Sequence, residues 1–349
     1  MHPYTLPPAL PGLLLPWYEA QKRTLPWRED RDAYHIWISE IMLQQTRVEA
    51  VKGYYARFLS ELPNVQALAV CDDQKLHKLW EGLGYYSRVR NLKKAAQVIV
   101  SQYGGVFPRD YGAVLALPGI GEYTAGAICS IAFGQPTPAV DGNVLRVCAR
   151  LTDDASPIDL SQTKQKVRTA LAAIYPPSAG EFTQSLMELG ATLCGPNRPP
   201  QCGQCPCREI CAACQSGTAP ALPVRSPRRE KRQEDRTVLI LRCGHRYALR
   251  RREDTGLLAG LWEFPNLAGK LELEEAMAAA REMGVPIRGP ERRVERKHIF
   301  THIQWNLRGY YLEAQQCGGD FVWLTEEEIR TQAALPTAFR QFWEEIDHV

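Results

Sequence analysis

Nowhere does the chain offer the roughly 20 consecutive apolar residues that a bilayer-spanning helix needs. Its first dozen residues, Met1 to Gly12, are broken by proline where a secretory leader would place a charged head and an apolar core. Net charge is scarce too: 42 Lys and Arg against 39 Asp and Glu leave +3, an excess that neither demands nor excludes a nucleic-acid partner. There is no internal repeat. At 45% hydrophobic and 23% charged residues the composition is too apolar for disorder, and 349 residues exceed one ordinary core. The expectation is a soluble, two-domain protein of the cytoplasm, or of the nucleoid if DNA is its partner.

Cysteine is sparse except in one place. Of eleven, Cys194, Cys202, Cys205, Cys207, Cys211 and Cys214 crowd a single short segment. A disulfide scaffold would spread them, so in a reducing compartment this cluster reads as a metal or iron–sulfur site.

From Leu13 to about Leu193 apolar residues recur at helical spacing, as in Ile38, Ile41, Met42 and then Val48, or Leu92, Ala95, Ala96 and Ile99. The first half is therefore expected to be mostly α. Ser216 to Arg236 is rich in proline and charge without apolar period, and reads as an interdomain linker or a solvated loop. Beyond it come short β-rich runs at Thr237–Leu241, Tyr247–Arg251, Trp262–Pro265, Gln304–Leu312 and Phe321–Leu324, with one helix-like stretch from Glu272 to Met283. The predicted layout is an α domain over 1–215, a linker over 216–236 and an α+β domain over 237–349.

Val114 to Ala127 places an apolar helix end, then Pro118-Gly119-Ile120-Gly121, then a new helix opening at Glu122. Glycines at 119 and 121 are able to take positive φ and let helix-start N–H groups approach a phosphate, gripping DNA without reading its sequence. Alone, the segment is equally an ordinary helix connection in a core. Twenty residues past Gly121, Asp141 precedes a helical run as a candidate N-cap, where N–H groups and the positive helix end favour its ionised form. Glu40, by contrast, lies within Ile36-Trp37-Ile38-Ser39-Glu40-Ile41-Met42-Leu43, where burial would raise its pKa and let it hold a proton. One protonated and one ionised carboxyl is the division that N-glycosidic cleavage requires. Separately, each is explained as a helix cap and a surface helix residue.

Four blocks make a resemblance specific: Ser39-Glu40-Ile41-Met42-Leu43-Gln44-Gln45-Thr46, Gly82-Leu83-Gly84-Tyr85-Tyr86-Ser87-Arg88, Leu117-Pro118-Gly119-Ile120-Gly121-Glu122-Tyr123-Thr124-Ala125 and Val140-Asp141-Gly142-Asn143. Together they resemble the adenine DNA glycosylases of the MutY family, within the helix-hairpin-helix glycosylase superfamily, over nearly the whole chain. The resemblance implies that Glu40 protonates adenine at N7, that Asp141 stabilises or traps the oxocarbenium ion, and that Tyr123 and Asn143 support that centre. It assigns Trp27, Arg28 and Gln184 to the adenine pocket. It assigns Gln45, Thr46, Leu83 and Tyr85, with Gly119 and Gly121, to DNA and to 8-oxoguanine. Relatives that cut the strand by β-elimination carry lysine where Tyr123 stands, since a Schiff base needs an amine; a monofunctional hydrolase is therefore expected.

The resemblance further implies a [4Fe–4S] cluster on Cys194, Cys202, Cys205 and Cys211, although the first spacer is one residue longer than the family's and Cys207 and Cys214 lie close enough to compete. Zinc is the alternative occupant. Arg198 and Arg208 would give this loop a positive edge. Gly256-Leu257-Leu258-Ala259-Gly260-Leu261-Trp262-Glu263-Phe264-Pro265 looks like the opening of a Nudix-type domain, but Met277-Ala278-Ala279-Ala280-Arg281-Glu282 keeps only one of the expected glutamates, so pyrophosphatase activity is not expected. Phe300-Thr301-His302 is similar to the family's 8-oxoguanine loop, with threonine for serine. The partner implied is duplex DNA with adenine opposite 8-oxoguanine or guanine, engaged by a monomer away from membranes. An endonuclease III-like lyase and a catalytically silent damage-binding protein are the competing readings.

Overall fold

Aspartate caps start two of the helices that matter here, Ala33–Leu43 and Gly142–Leu151, and a glycine stops a third, Glu122–Phe133. Asp32 accepts from the backbone N–H groups of Tyr34 and His35 and opens the helix Ala33–Leu43. Gly134, at φ 67°, closes Glu122–Phe133 in the left-handed conformation that glycine adopts at least cost. The computed structural model describes residues 4–196, 198–227 and 230–346. By internal packing the chain divides into one unit of Met1–Val70 with Arg90–Arg228 and another of Cys71–Val89 with Arg229–Val349. Among the described residues no helix is long and apolar enough to cross a membrane.

The first unit is helical. Ala179–Thr192 is its central rod, packed against Leu10–Gln21, Glu122–Phe133 and Gly142–Leu151, while Ala33–Leu43 packs on Glu122–Phe133. Phe182, Leu186 and Leu189 turn one face of the rod into a core shared with Leu10, Leu14, Leu145 and Cys207. The opposite face, carrying Gln184 and Glu188 at i and i+4, is left for a cavity. The helical period read from Ile38 through Val48 is interrupted: Gln45 stands at φ 60°, and Val48 begins a separate helix, Val48–Glu61.

The second unit holds a mixed seven-stranded sheet: β1 Arg232–Cys243, β2 Arg246–Arg251, β3 Trp262–Glu263, β4 Asn266–Ala268, β5 Ile287–Ile299, β6 Ile303–Ala314 and β7 Val322–Thr325. Its order is β3-β2-β1-β6-β5, with β4 on β1 and β7 on β2. β1 and β6 run parallel, from Arg232 opposite Ile303 to Arg242 opposite Glu313. Alternate residues of these central strands bury on opposite faces. Val238, Ile240 and Leu307 meet Phe339 and Phe342, whereas Leu239, Leu241 and Leu312 meet Ala276 and Ala280 of the helix Leu273–Glu282.

Several expectations change. β1 begins at Arg232, five residues inside the expected linker, because Arg232 to Asp235 pair with β6; residues 228–229 of that linker lie outside the described residues. β5 is not among the expected β-rich runs, and arginines and glutamates fill much of it. It is an edge strand anchored by Ile287, with Arg292 and Arg296 ion-paired to Glu345 and Glu295 paired to Arg308. The helices Glu326–Gln332 and Thr337–Trp343 and the strand β4 were also unexpected. Finally, residues 71–89 belong with the C-terminal unit rather than with 1–215: Lys78 Nζ donates to the carbonyls of Ala333 (3.2 Å) and Ile329 (3.4 Å), and Glu81 accepts from Leu335 N–H (2.9 Å).

Packing around Gly126 gives a stability test. A Cβ there would lie 2.4 Å from the Pro138 carbonyl oxygen and 3.1 Å from Ala139 Cα, both backbone. Gly126→Ala is expected to lower unfolding stability by roughly 1–3 kcal/mol in urea denaturation. Gly12→Ala, whose Cβ meets nothing within 4 Å, is expected to stabilise the helix by up to about 1 kcal/mol.

Candidate active site

The helix Ala33–Leu43 carries Glu40 into a cavity of about 630 Å³ in the first unit. Glu40 is only 6% exposed, and burial raises its pKa to about 7. The Tyr123 hydroxyl opposes that rise by donating to Oε2, the negative charge of Asp141 adds to it, and Arg28 lowers it. Tyr123 itself is held well above its usual range by burial and then by the Glu40 charge, so it remains a donor.

Across the same cavity, Asp141 caps the helix Gly142–Leu151. Oδ1 accepts from Val144 N–H and Oδ2 from Asn143 Nδ2, each at 2.7 Å. Burial pushes its pKa upward, and these donors together with Arg146 work against the shift. The carboxylate favoured by its helix end is thus opposed by its own desolvation. Asn143 is oriented in turn by Arg146, whose Nη2 reaches Asn143 Oδ1 at 2.7 Å and the Gly190 carbonyl at 2.8 Å. Arg146 was not singled out from the sequence; its signal is a cation at i+5 from Asp141, on the first turns of the helix that Asp141 caps.

Trp27, Arg28 and Gln184 line this cavity, as do Gln45 and Thr46. Trp27 is buried edge-on against Tyr55, with ring centroids 5.6 Å apart. Arg28 is held by Glu188, which is fully buried and which sequence reasoning missed. Glu188 Oε2 accepts from Arg28 Nη2 at 2.8 Å and from Arg23 Nη2 at 2.9 Å, while Oε1 takes Arg23 Nε at 2.6 Å. This pairing lowers its pKa against the effect of burial. A glutamate one helical turn after Gln184, on the same helix face, was the available signal.

The remaining assigned residues fall elsewhere. Gly119 is exposed at φ 76°, and a Cβ would strike Asn91 at 2.5 Å. Gly121 is a correction: it stands at φ −98° as the N-cap of Glu122–Phe133, and the space where its Cβ would stand is open. Gln45 and Tyr85 are exposed and both carry positive φ, 60° and 48°, an uncommon conformation for such side chains that concentrates at functional sites. Leu83, in the second unit, is 6% exposed. Phe300-Thr301-His302 forms the tip between β5 and β6, closed by Phe300 N–H to Ile303 carbonyl at 2.8 Å. Phe300 packs against Trp305, while Thr301 and His302 stand toward solvent.

Of the six clustered cysteines, Cys194, Cys205, Cys207 and Cys211 gather at the core of the first unit, with Cys207 1% exposed. Arg150, buried, donates from Nη1 to Cys194 Sγ at 3.0 Å, and Arg146 Nε donates to the Cys194 carbonyl at 2.7 Å. Among the described residues no three His, Cys, Asp or Glu side chains converge as ligands of one metal ion. An all-thiol donor set with a guanidinium on one sulfur fits an anionic thiolate-bound centre, which an iron–sulfur cluster and a zinc ion on four cysteines both are.

Residues 38–177 match the HhH-GPD superfamily of base excision DNA repair proteins, and residues 236–345 match the NUDIX domain. Among solved structures, a thermostable thymine-DNA glycosylase superposes with a TM-score of 0.54 at 29% identity, covering 59% of this chain and 94% of that one. An endonuclease III trapped on DNA shares the fold, with a TM-score of 0.51 at 24% identity over 61% of this chain and 99% of that one. The adenine DNA glycosylase of Buchnera aphidicola subsp. Acyrthosiphon pisum (strain APS) is 32% identical over 83% of each chain. That of Homo sapiens is 36% identical over 95% of this chain and 73% of its own length. With the helical and Nudix-like units both matched and such identity maintained along nearly its whole length, the chain belongs to the adenine DNA glycosylase family, hydrolases of N-glycosyl bonds.

Proposed function

We propose that this enzyme removes adenine mispaired with 8-oxoguanine, or with guanine, from duplex DNA and leaves an abasic site. The observation that carries the proposal is the pair of carboxyls lining one cavity in unlike settings: Glu40 titrates near neutrality, and Asp141 has both oxygens bonded to N–H donors. The target adenine is extruded from the duplex into that cavity beside Trp27, Arg28 and Gln184. Because Tyr123 donates to Oε2, the proton of neutral Glu40 lies on the other oxygen, from which it passes to adenine N7. Protonation makes the base a better leaving group. Asp141 then stabilises positive charge on the sugar, or traps it covalently, until water adds.

The reaction stops at hydrolysis. A lyase needs an amine for a Schiff base. Among the described residues lining the cavity there is no lysine, and the Tyr123 hydroxyl is engaged by Glu40. Catalysis is assigned to 1–215, and recognition of 8-oxoguanine to 237–349 through the exposed Thr301 and His302, with Gln45 and Tyr85. The enzyme acts as a monomer in the cytoplasm, on the nucleoid. A [4Fe–4S] cluster held by Cys194, Cys202, Cys205 and Cys211 braces the loop that Arg146 and Arg150 tie to the helix Gly142–Leu151.

Duplexes holding adenine opposite 8-oxoguanine, adenine opposite guanine, or thymine glycol opposite adenine distinguish the readings. Alkali-dependent breaks at adenine are expected, and Glu40→Gln is expected to slow them by about 10²–10⁴-fold under single turnover. Alkali-independent cutting at thymine glycol would favour a lyase, and tight binding without base release a silent damage-binding protein. The wild-type single-turnover rate should fall as pH rises through about 7, where Glu40 loses its proton; a rate flat from pH 6 to 8.5 contradicts its role as acid. The same raised pKa means that Glu40 favours the folded state below about 4.5 and that this contribution is lost as pH rises through about 7. Glu40→Gln should therefore be more stable than wild type at pH 8, by up to about 3 kcal/mol, with the gain shrinking toward acid. For the cluster, Cys207→Ser and Cys214→Ser should retain about four irons per chain and Cys211→Ser should lose them; loss in Cys207→Ser would reassign the ligands.

A further inference from the structure

The second unit contains a cavity of about 480 Å³ lined by Arg236, Arg250, Arg251 and Arg252 with Glu253, Thr255 and Glu263. Four guanidinium groups from three chain segments converge there. Arg236 comes from β1, Arg250 and Arg251 from β2, and Arg252 from the loop beyond. The Glu263 carboxylate, 3% exposed, accepts from Arg250 Nε at 2.8 Å, from Arg252 Nη1 and from Asn266 Nδ2 at 2.8 Å. It therefore orients two of the arginines while offsetting only part of their charge. Glu234 and Asp254 stand farther off, 3.9 Å from Arg236 and 3.7 Å from Arg251.

The donors outnumber their acceptors. Among the described residues Arg250 uses only Nε in hydrogen bonding, Arg251 Nε goes to the Gly260 carbonyl, and Arg236 Nη1 goes to Asn266. Arg236 Nε is buried with no hydrogen-bond partner among the described residues. Arg236 is stacked on Trp305, 4.6 Å from its ring, which keeps its guanidinium plane rigid. Burial lowers its pKa; the charges of Glu234 and Glu263 oppose the fall, and those of Arg252 and Arg250 add to it.

From this geometry we propose that the cavity is a phosphate-binding site of the Nudix-like unit. Planar guanidinium groups with unused N–H pairs match the oxygens of a phosphate, and charge-assisted bonds of this kind are about twice as strong as neutral ones. The site binds without hydrolysing. Catalytic hydrolysis needs several carboxylates around a divalent cation; of the two glutamates lining this cavity Glu263 is already engaged by Arg250, Arg252 and Asn266, and Leu273–Glu282 carries alanines at 278, 279 and 280. The phosphate belongs either to the DNA backbone or to a free nucleotide, and the chemistry of recognition is the same.

The test uses the full chain at low salt. Inorganic pyrophosphate is titrated calorimetrically into wild type, Arg250→Gln/Arg251→Gln and Glu263→Gln, and duplex affinity is measured against salt concentration for each. Pyrophosphate should bind wild type, weaken by about tenfold or more in the double arginine variant, and tighten in Glu263→Gln, where a competing negative charge is gone. If DNA supplies the phosphate, the double variant also lowers the slope of log affinity against log salt by about 0.9 for each phosphate that its arginines had neutralised. If a free nucleotide supplies it, that slope stays unchanged while pyrophosphate binding falls. No pyrophosphate binding by wild type, with an unaltered slope, overturns the proposal. Base release at saturating duplex is expected to be unchanged, because none of these residues lines the catalytic cavity, so the two readings fail separately.

Discussion

A buried guanidinium must find acceptors for its N–H groups, and the acceptors found by Arg146 hold the active site together. Its hydrogen bonds join the carbonyls of Gly142, Gly190 and Cys194 with the side chain of Asn143. The helix Gly142–Leu151, the central rod and the cysteine loop thus meet on one planar group. Asn143, so fixed, presents its amide to Asp141. Arg150, one turn on, repeats the device by donating to Cys194 and to the carbonyls of Ala219 and Leu222. Such geometry tolerates little displacement: a Cβ on Gly190 would fall 2.6 Å from Asn143 Cβ.

Around this frame the chemistry follows from unequal solvation. Glu40 is surrounded by apolar helix and takes a hydrogen bond from Tyr123, so its neutral form is within reach. Asp141 sits at a helix end with donors on both oxygens, which partly offset its burial. Glu188 is as deeply buried as any polar group here, yet two arginines keep it charged and hold Arg28 at the cavity. Three buried carboxyls within one unit are thus shifted differently, Glu40 and Asp141 upward by burial and Glu188 downward by its two arginines.

Much of the helical half was legible because helical period, capping residues and glycine stops are local signals. Asp141 as a cap, the hairpin at Pro118–Gly121 and the apolar neighbourhood of Glu40 followed from a few residues each. The β-rich half was less legible. β5 is nearly all charge, and its strand state comes from hydrogen bonds to β6 and from ion pairs with Glu345 and Arg308, partners outside its own segment. Gly121 illustrates the opposite error: a residue able to adopt positive φ need not adopt it, and here its use is the open space over exposed backbone.

By itself, then, the sequence determined the kinds of chemistry on offer: two carboxyls in unlike local settings, a tyrosine rather than an amine at position 123, a cysteine cluster, and a Nudix-like half with one of its expected glutamates. These are properties of residue type and near neighbours. The tertiary structure decided which groups meet. It brought Glu188 under Arg28, set Arg146 between Asn143 and Cys194, buried Leu83, joined residues 71–89 to the C-terminal unit, and collected four arginines around Glu263. The physical reason is that a buried charge takes its state from whatever the fold packs against it, and such partners stand as far apart in the chain as the 160 residues between Arg28 and Glu188.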